Sequence, residues 1–166
     1  WDELLICTGA DYCRNCGREA GEYALLDDTC PDCQGKEKLF DSIARAGIYE
    51  HILRKMILYF KNGRTELISV LGFLADSALQ GSDFINDVEL FVPVPLHWTR
   101  RLTRGYNQSH VLVQKLKHGT ARINTDLVRI RRTKSQPAMA SPAARAKNVA
   151  GAFAVRYSHK LTGRRI

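Results

Sequence analysis

The middle of the chain has apolar residues at helical spacing. Six of them recur three or four positions apart: Tyr49, Ile52, Leu53, Met56, Tyr59 and Phe60. This spacing predicts an α-helix with one apolar face. Asn62 and Gly63 are expected to end it, because both tolerate left-handed backbone. A second helix is predicted from about Thr65 to Ala78, and the apolar stripes of both helices are interpreted as core.

The second half alternates strand and helix patterns. Residues 90–94 form a short apolar, β-rich run, as expected of a buried parallel strand. Residues 107–117 predict a helix, and residues 127–130 and 151–155 predict two further strands. Residues 165–166 have the pattern of a strand opening. This alternation predicts an α/β sheet flanked by helices.

Residues from about 7 to 36 hold all five cysteines and few apolar side chains. A segment of this composition cannot build a hydrophobic core of its own, so its fold needs to be stabilised by a bound metal or by disulfides. We therefore predict two domains, a metal-stabilised ribbon at residues 1–38 and an α/β domain at residues 39–166.

Four of the cysteines form two Cys-x-x-Cys pairs, Cys13/Cys16 and Cys30/Cys33, with 13 residues between the pairs. Two such turns supply the four tetrahedral thiolates that Zn²⁺ prefers in a structural site, with no position left open for catalysis. An iron–sulfur centre and paired disulfides are the alternatives, the latter weaker in a reducing cytosol. Cys7 is left out of the predicted site.

Charge is distributed unevenly along the chain. Residues 1–96 contain 9 Lys or Arg and 16 Asp or Glu, whereas residues 97–166 contain 16 Lys or Arg and one acid, Asp126. The net charges, −7 and +15, sum to the overall +8. Such a basic half is expected to bind phosphate-bearing ligands or nucleic acid. Acids elsewhere in a longer protein are the alternative source of balance.

A basic segment follows the predicted strand at residues 90–94. Ligands of open α/β sheets bind at the carboxyl ends of strands, and Arg100, Arg101 and Arg104 can make bidentate contacts to phosphate oxygens. Gly105 lets the backbone approach a ligand closely, and Asn107 is a suitable N-cap for the next helix. We predict a phosphate-binding loop here; a solvated loop without a ligand is the alternative.

The chain has no apolar run of the roughly 20 residues that a membrane span needs and no signal-peptide pattern at its start. A cytoplasmic protein without membrane contact is the resulting prediction. The chain begins at Trp1 without a methionine and ends at Ile166 within a strand pattern. We therefore expect a piece of a longer protein.

Several motifs together resemble one known family. They are the double Cys-x-x-Cys, Pro93-Val-Pro-Leu-His97, Arg104-Gly-Tyr-Asn-Gln108, residues 129–136, and Arg145-Ala-Lys-Asn148. In this order they resemble the ComF or GntX-like family of competence-associated, predicted phosphoribosyltransferases, over nearly the whole chain.

The resemblance implies a zinc ribbon followed by a type I phosphoribosyltransferase fold that binds 5-phosphoribosyl diphosphate, usually with Mg²⁺. Asn107 and Gln108 would join the arginines and Gly105 in the pyrophosphate-binding segment. Gln136, Arg145 and Asn148 would lie in a flexible loop, in agreement with the Ala-, Ser- and Pro-rich composition of residues 134–147. A link to competence and DNA uptake is also implied.

The family pattern continues, after a strand like residues 165–166, with two acids and a Thr-Thr-Gly turn that this sequence lacks. The resemblance therefore implies an incomplete sheet, and a chain that does not by itself catalyse phosphoribosyl transfer. The acceptor and the catalytic residues stay open. An accessory module that binds single-stranded DNA, with Trp98 and Tyr106 stacking on bases, or a protein-interaction module, is the alternative.

Overall fold

The structure is a computed structural model that describes residues 11–21, 24–36, 39–117 and 121–166. Cys7, which was left out of the predicted metal site, lies outside the described residues. The chain divides into two compact units. The first comprises Trp1–Asn86 with Lys115–His118, and the second comprises Asp87–Gln114 with Gly119–Ile166. A separate ribbon domain at residues 1–38 stays a prediction.

The first unit contains the two helices expected from the apolar spacing. Helix α1 spans His51–Lys61 and helix α2 spans Ile68–Gln80. A short 3₁₀ turn at Thr65–Leu67 precedes α2, so the α-helix begins three residues later than predicted. The helices bury the apolar residues Leu53, Phe60, Leu71 and Leu74. The core prediction is thus confirmed for these four residues, but it was wrong for Tyr49 and Tyr59 of the first stripe, which are 49% and 59% exposed.

A glycine in α2 explains why the first unit includes a segment from much later in the chain. A Cβ atom added to Gly72 would lie 2.6 Å from the Lys115 Cβ atom, a distance that real Cβ contacts do not show. Nearby, the backbone N–H of Lys117 donates to Oδ1 of the buried Asp76 at 2.8 Å. The missing side chain and the buried carboxylate together hold residues 115–117 against α2.

The second unit contains two small sheets of two strands each. Strand β1, Leu90–Phe91, pairs in parallel with β2, Arg122–Ile123. Strand β3, Leu127–Arg129, pairs antiparallel with β4, Phe153–Val155. The β1 strand is shorter than predicted because Pro93 and Pro95 have no N–H to donate to a ladder. The β2 strand was missed because Arg122 and Ile123 are exposed and have no apolar alternation.

Three helices follow the strands of this unit: α3 at Trp98–Arg104, α4 at Gln108–Val113 and α5 at Pro142–Val149. The prediction of a loop around Arg100 was wrong, because His97 caps a helix there by accepting from the N–H of Thr99. Gly105 ends α3 in the left-handed conformation, with φ +79°. The α4 helix is six residues long and stops short of the predicted residue 117.

The observed fold class is mixed α/β, with helices and a small parallel sheet. The carbonyl of Arg165 accepts hydrogen bonds from the N–H groups of Glu89 and Leu90, at 2.9 and 3.2 Å, so the end of the chain lies beside β1 without forming a strand. A complete phosphoribosyltransferase sheet stays a prediction. None of the described helices is both long enough and apolar enough to cross a membrane.

Candidate functional site

The first Cys-x-x-Cys pair forms a tight turn. The N–H of Gly17 donates to the carbonyl of Cys13 at 2.8 Å, and the N–H of Cys13 donates to the carbonyl of Arg18 at 2.9 Å. Gly17 has φ +70°, a conformation that glycine adopts without steric cost. The turn thereby directs Cys13 and Cys16 toward one point.

The second pair repeats this local geometry. The N–H groups of Cys33 and Gln34 both donate to the carbonyl of Cys30, at 2.9 and 3.2 Å. Gly35 follows with φ +68°. An ion pair between Arg18 and Asp32 connects the two cysteine turns. Both hairpins therefore fold from short-range hydrogen bonds that their own sequences encode.

The four sulfur atoms lie together. The Sγ atoms of Cys13, Cys16, Cys30 and Cys33 are all within 4.8 Å of one another, and those of Cys16 and Cys30 are 3.8 Å apart. Tetrahedral zinc with Zn–S bonds of about 2.3 Å places its sulfurs about 3.8 Å apart, whereas a disulfide requires about 2.05 Å. All four cysteines are free thiols. The cluster is consistent with a structural zinc site.

The electrostatics of the cluster also favour a bound cation. Burial raises the pKa of Cys13, but N–H groups of Cys30, Asn15 and Cys16 outweigh it and lower that pKa to about 6. Burial and hydrogen bonds to the other three sulfurs raise the pKa of Cys33 to about 12. Without a metal, the Cys33 thiol is therefore protonated near neutral pH. A divalent cation that binds thiolates favours its ionised form instead.

The second unit has a cavity of about 660 Å³, a size within the ordinary range for small-molecule sites. Its walls come from the segment after β1, from α3 and α4, and from the β3–β4 hairpin. Trp98 and Tyr106 supply aromatic surface, and Asn107 and His110 supply polar groups. The cavity therefore combines an apolar wall with hydrogen-bonding side chains.

Three arginines line the cavity: Arg101, Arg156 and Arg129. No Asp or Glu among the described residues lines it. The guanidinium groups of Arg101 and Arg156 have no hydrogen-bond or carboxylate partner in the described part of the chain. The cavity is thus suited to an anion. Its described lining offers no carboxylate to Mg²⁺, so no step of a reaction is assigned to that ion.

Arg129 is held from several sides. Its Nη2 donates to Oγ1 of Thr133, and its guanidinium carbon lies 5.2 Å from the centre of the Phe153 ring. Its Nε is buried with no hydrogen-bond partner. Burial lowers the pKa of Arg129, and the like charges of Arg100 and Arg131 lower it further. The guanidinium is therefore fixed in place with hydrogen-bonding capacity unused.

The predicted phosphate-binding residues divide into two groups. Arg101, Gly105 and Asn107 line the cavity, and the Asn107 side chain also donates to the carbonyl of Val94 at 3.1 Å.

The other three residues of that set do not line the cavity. Arg100 donates to the carbonyl of Thr133 at 3.0 Å. Arg104 donates to Gln108 Oε1 at 3.4 Å, and the buried Nε2 of Gln108 has no partner. A phosphate-binding role for all six stays a prediction, but the structure gives Arg101 the most direct access to a ligand.

The three residues predicted for the flexible loop are brought together. Gln136 Nε2 donates to the carbonyl of Arg145 at 3.4 Å, and Asn148 Nδ2 donates to Gln136 Oε1 at 3.4 Å. Asn148 also exchanges two hydrogen bonds with the backbone of Lys134, at 3.2 and 3.1 Å. These hydrogen bonds join the two ends of residues 134–148.

Sequence reasoning missed Arg129 and Arg156 as cavity residues. Arg129 interrupts an otherwise apolar strand, a pattern that signals a charged group turned toward a functional surface. Arg156 directly follows β4, and its neighbour Val155 pairs with Leu127 of β3. No spacing rule could have joined them to Arg101, because that juxtaposition depends on the hairpin.

Comparison with known proteins gives one informative match. The chain is 29% identical to competence protein F of Haemophilus influenzae (strain ATCC 51907 / DSM 11121 / KW20 / Rd), over an alignment that covers 92% of this chain and 71% of that protein. The chain is a distant homologue of competence protein F. This homology confirms the resemblance stated from the motifs. No family model and no solved structure matches the chain.

The alignment with competence protein F extends over both compact units, since it covers 92% of the chain. The homology is therefore not confined to one of the two units.

Proposed function

We propose that the second unit binds the diphosphate group of a phosphorylated sugar, 5-phosphoribosyl diphosphate, in the arginine-lined cavity. The observation that carries the proposal is the convergence of Arg101, Arg129 and Arg156 on one cavity with no carboxylate among its described lining residues. Guanidinium groups match phosphoryl oxygens in charge and in planar, bidentate geometry.

The charge of the whole unit supports the same ligand class. Residues 87–114 and 119–166 contain 14 Lys or Arg and three acids, a net of +11. Each acid already has a cation close by: Asp87 has Arg165, Glu89 has Arg164 and Asp126 has Lys160. The arginines of the cavity therefore have no charge compensation from the described carboxylates of their own unit.

The positions of the residues that line the cavity suggest which part of the ligand each one contacts. Arg101 and Arg156 bind the diphosphate oxygens, while Asn107 and His110 donate or accept at the sugar hydroxyls. Tyr106 packs against the apolar side of the ribose. In a transfer reaction these arginines stabilise the charge on the departing pyrophosphate; the acceptor nucleophile and the general base are not assigned. The zinc ribbon has a structural role.

A thermal-shift titration tests the proposal. Millimolar 5-phosphoribosyl diphosphate with Mg²⁺ is expected to raise the melting temperature of the protein, because a ligand that binds only the folded state stabilises it. Arg101→Ala is expected to abolish the shift. Arg132→Ala is the matched control, since Arg132 is exposed and does not line the cavity. Absence of a shift in the wild-type protein would refute the proposal.

The alternative, single-stranded nucleic-acid binding, is favoured by one observation. Trp98 lines the cavity with 65% of its surface exposed, next to cationic groups. A base could stack on this ring while arginines contact the backbone. This alternative predicts quenching of Trp fluorescence by an oligonucleotide and an affinity that falls steeply with salt. A salt-independent affinity would contradict it.

A further inference from the structure

His97 is a buried, titratable side chain that the proposed function does not use. It is 8% exposed and does not line the arginine-lined cavity. Both of its neighbours in the chain, Leu96 and Trp98, do line that cavity. His97 therefore interrupts a run of cavity residues, and any effect it has on a ligand passes through the residues that it positions.

The imidazole ring of His97 caps the first turn of α3. Its Nδ1 accepts a hydrogen bond from the N–H of Thr99 at 3.4 Å and lies 2.9 Å from the Thr99 hydroxyl oxygen. The backbone of His97 is extended, with φ −62° and ψ 143°, as is typical of an N-cap. Its carbonyl then accepts from the N–H groups of Arg100 and Arg101, at 2.9 and 3.1 Å. One residue thus supplies both the side-chain cap and the first backbone acceptor of the helix.

The α3 helix depends on this cap more than a longer helix would. It has seven residues and no acid in its first turn. Helices this short are marginal without tertiary support, and no carboxylate offsets the partial positive charge of this helix N-terminus. The fraction of molecules in which the first turn of α3 is formed is therefore expected to respond to the cap.

Two residues of α3 carry the effect of the cap to the ligand. Trp98 is the first residue of the helix and Arg101 lies about one turn later, and both line the cavity. Unwinding of the first turn would release the Arg101 N–H from the His97 carbonyl and leave the guanidinium without a fixed position. Ligand affinity then falls in proportion to the fraction of molecules in which this turn is formed.

Capping requires the neutral form of the His97 ring. A ring nitrogen that accepts from an N–H group cannot carry a proton of its own. Protonation at Nδ1 would replace this acceptor by a donor and would add positive charge at the N-terminus of the helix, where it is unfavourable. The cap is thus available at high pH and is lost as the ring gains a proton.

The charges around His97 do not favour a protonated ring. The charged or titratable side chains on α3, and on the other elements that line the cavity beside Leu96 and Trp98, are Arg100, Arg101, Arg104, His110, Arg129 and Arg156. None of them is an acid. Asp126, which adjoins β3, has Lys160 and Asn124 as its partners. No carboxylate in the described lining of the cavity therefore offsets a second positive group at the start of α3.

We propose that His97 is a positioning residue whose neutral imidazole caps α3 and thereby holds Arg101 and Trp98 in place for the phosphorylated ligand. The inference rests on the proposed function, since it concerns the same cavity. It gives a role to a residue type that is not among the usual capping residues, Ser, Thr, Asp and Asn. It also makes the cap sensitive to protonation, which those residues would not do near neutral pH.

Two substitutions separate capping from packing. His97→Leu keeps a buried side chain of similar size but has no acceptor, whereas His97→Asn is smaller but restores a strong N-cap. With inorganic pyrophosphate as the probe, we expect the affinity of the full chain to fall about fivefold in His97→Leu, the factor that loss of a typical cap represents. In His97→Asn it is expected to stay within about twofold of wild type.

Hydrogen exchange of residues 98–104 without ligand should follow the same order, with the least protection in His97→Leu. His159→Leu is the matched control, because His159 is an exposed histidine of the same unit that does not line the cavity. It is expected to behave as wild type in both measurements.

A pH series distinguishes a capping imidazole from one that only packs. Imidazole side chains gain a proton between about pH 8 and 5. Over this range the protection of residues 98–104, corrected for the intrinsic exchange rate, is expected to fall in the wild-type protein but not in His97→Asn. Omission of pyrophosphate removes its own titration from the comparison, and His110 is present in both proteins, so its contribution cancels.

The outcomes distinguish this inference from the proposed function. If pyrophosphate binds in an Arg101-dependent manner but binds His97→Leu as tightly as wild type, or more tightly than His97→Asn, the role of His97 is refuted and the proposed function stands. Equal loss of protection at low pH in wild type and His97→Asn also refutes it. If neither pyrophosphate nor 5-phosphoribosyl diphosphate binds the wild-type protein, both are refuted. Should His97→Leu fail to fold, the pH series on wild type and His97→Asn decides.

Discussion

The two units concentrate opposite chemistries. In the first, Cys13, Cys16, Cys30 and Cys33 bring together four sulfur atoms that are negative when ionised and therefore suit a cation. In the second, Arg101, Arg129 and Arg156 bring together positive groups with no described carboxylate in the cavity, and therefore suit an anion. The ionised cysteines repel one another, as do the arginines, and a ligand of opposite charge would offset the repulsion in each cluster.

The difference lies in how each cluster is assembled. All four cysteines lie within 21 consecutive residues, from 13 to 33, and each pair forms from hydrogen bonds across a single turn. The arginines span residues 101 to 156 and meet because α3 and the β3–β4 pair line the same cavity. The cysteine cluster is local, and the sequence spacing predicts it. The arginine cluster is composite, because residues far apart in sequence are brought together by the fold.

Removing the metal should give the largest effect and tests the local cluster. In a small site of this kind the apparent free energy of zinc binding is roughly 10–16 kcal/mol and is also folding free energy. We therefore expect chelation, or Cys13→Ser, to unfold residues 11–36, as measured by hydrogen exchange. Elemental analysis of the untreated protein should give one zinc per chain.

A control and two contrary outcomes accompany this test. Cys7→Ser is expected to retain one zinc per chain, because Cys7 is outside the predicted ligand set. Iron with visible absorbance in place of zinc would establish the iron–sulfur alternative. Zinc loss in Cys7→Ser would show that the ligand set is wrong.

Gly72→Ala should give the second largest effect and tests close packing within the first unit. The new methyl group would overlap the Lys115 Cβ atom, which belongs to the rigid part of that side chain. Overpacking of this kind costs about 1–3 kcal/mol, to be measured by chemical denaturation. Gly81→Ala is the matched control, since its Cβ meets no atom closer than 3.7 Å and its φ is −78°. Equal destabilisation by both would contradict the explanation.

The same contrast between local and composite features explains what the sequence could predict of the fold. Helices α1 and α2 were predictable because their apolar faces repeat along the chain. The α3 helix was not, because its sequence is basic and it depends on a histidine cap and on Gly105 to end it. The β2 strand was not, because two exposed residues have no pattern of their own.

The candidate sites follow the same rule. The ligand set of the metal cluster was predictable from spacing alone. The cavity was predictable only where its lining continues the stretch after β1, as with Arg101 and Asn107. Arg129 had a local signal as a charge within an apolar strand, but Arg156 had none, and nothing in the spacing joined either of them to Arg101.

The smallest expected effect concerns a local feature of the second unit, the N-cap of α5. Ser141 caps α5, and Ser141→Ala removes the acceptor for the N–H of Ala144. Loss of such a cap costs about 1 kcal/mol, and we expect it as faster exchange at residues 142–146. Ser135→Ala is the matched control, because Ser135 flanks the 3₁₀ turn at Gln136–Ala138 without a side-chain capping bond. If exchange at residues 142–146 is unchanged in Ser141→Ala, or rises equally in Ser135→Ala, the Ser141 cap does not stabilise α5.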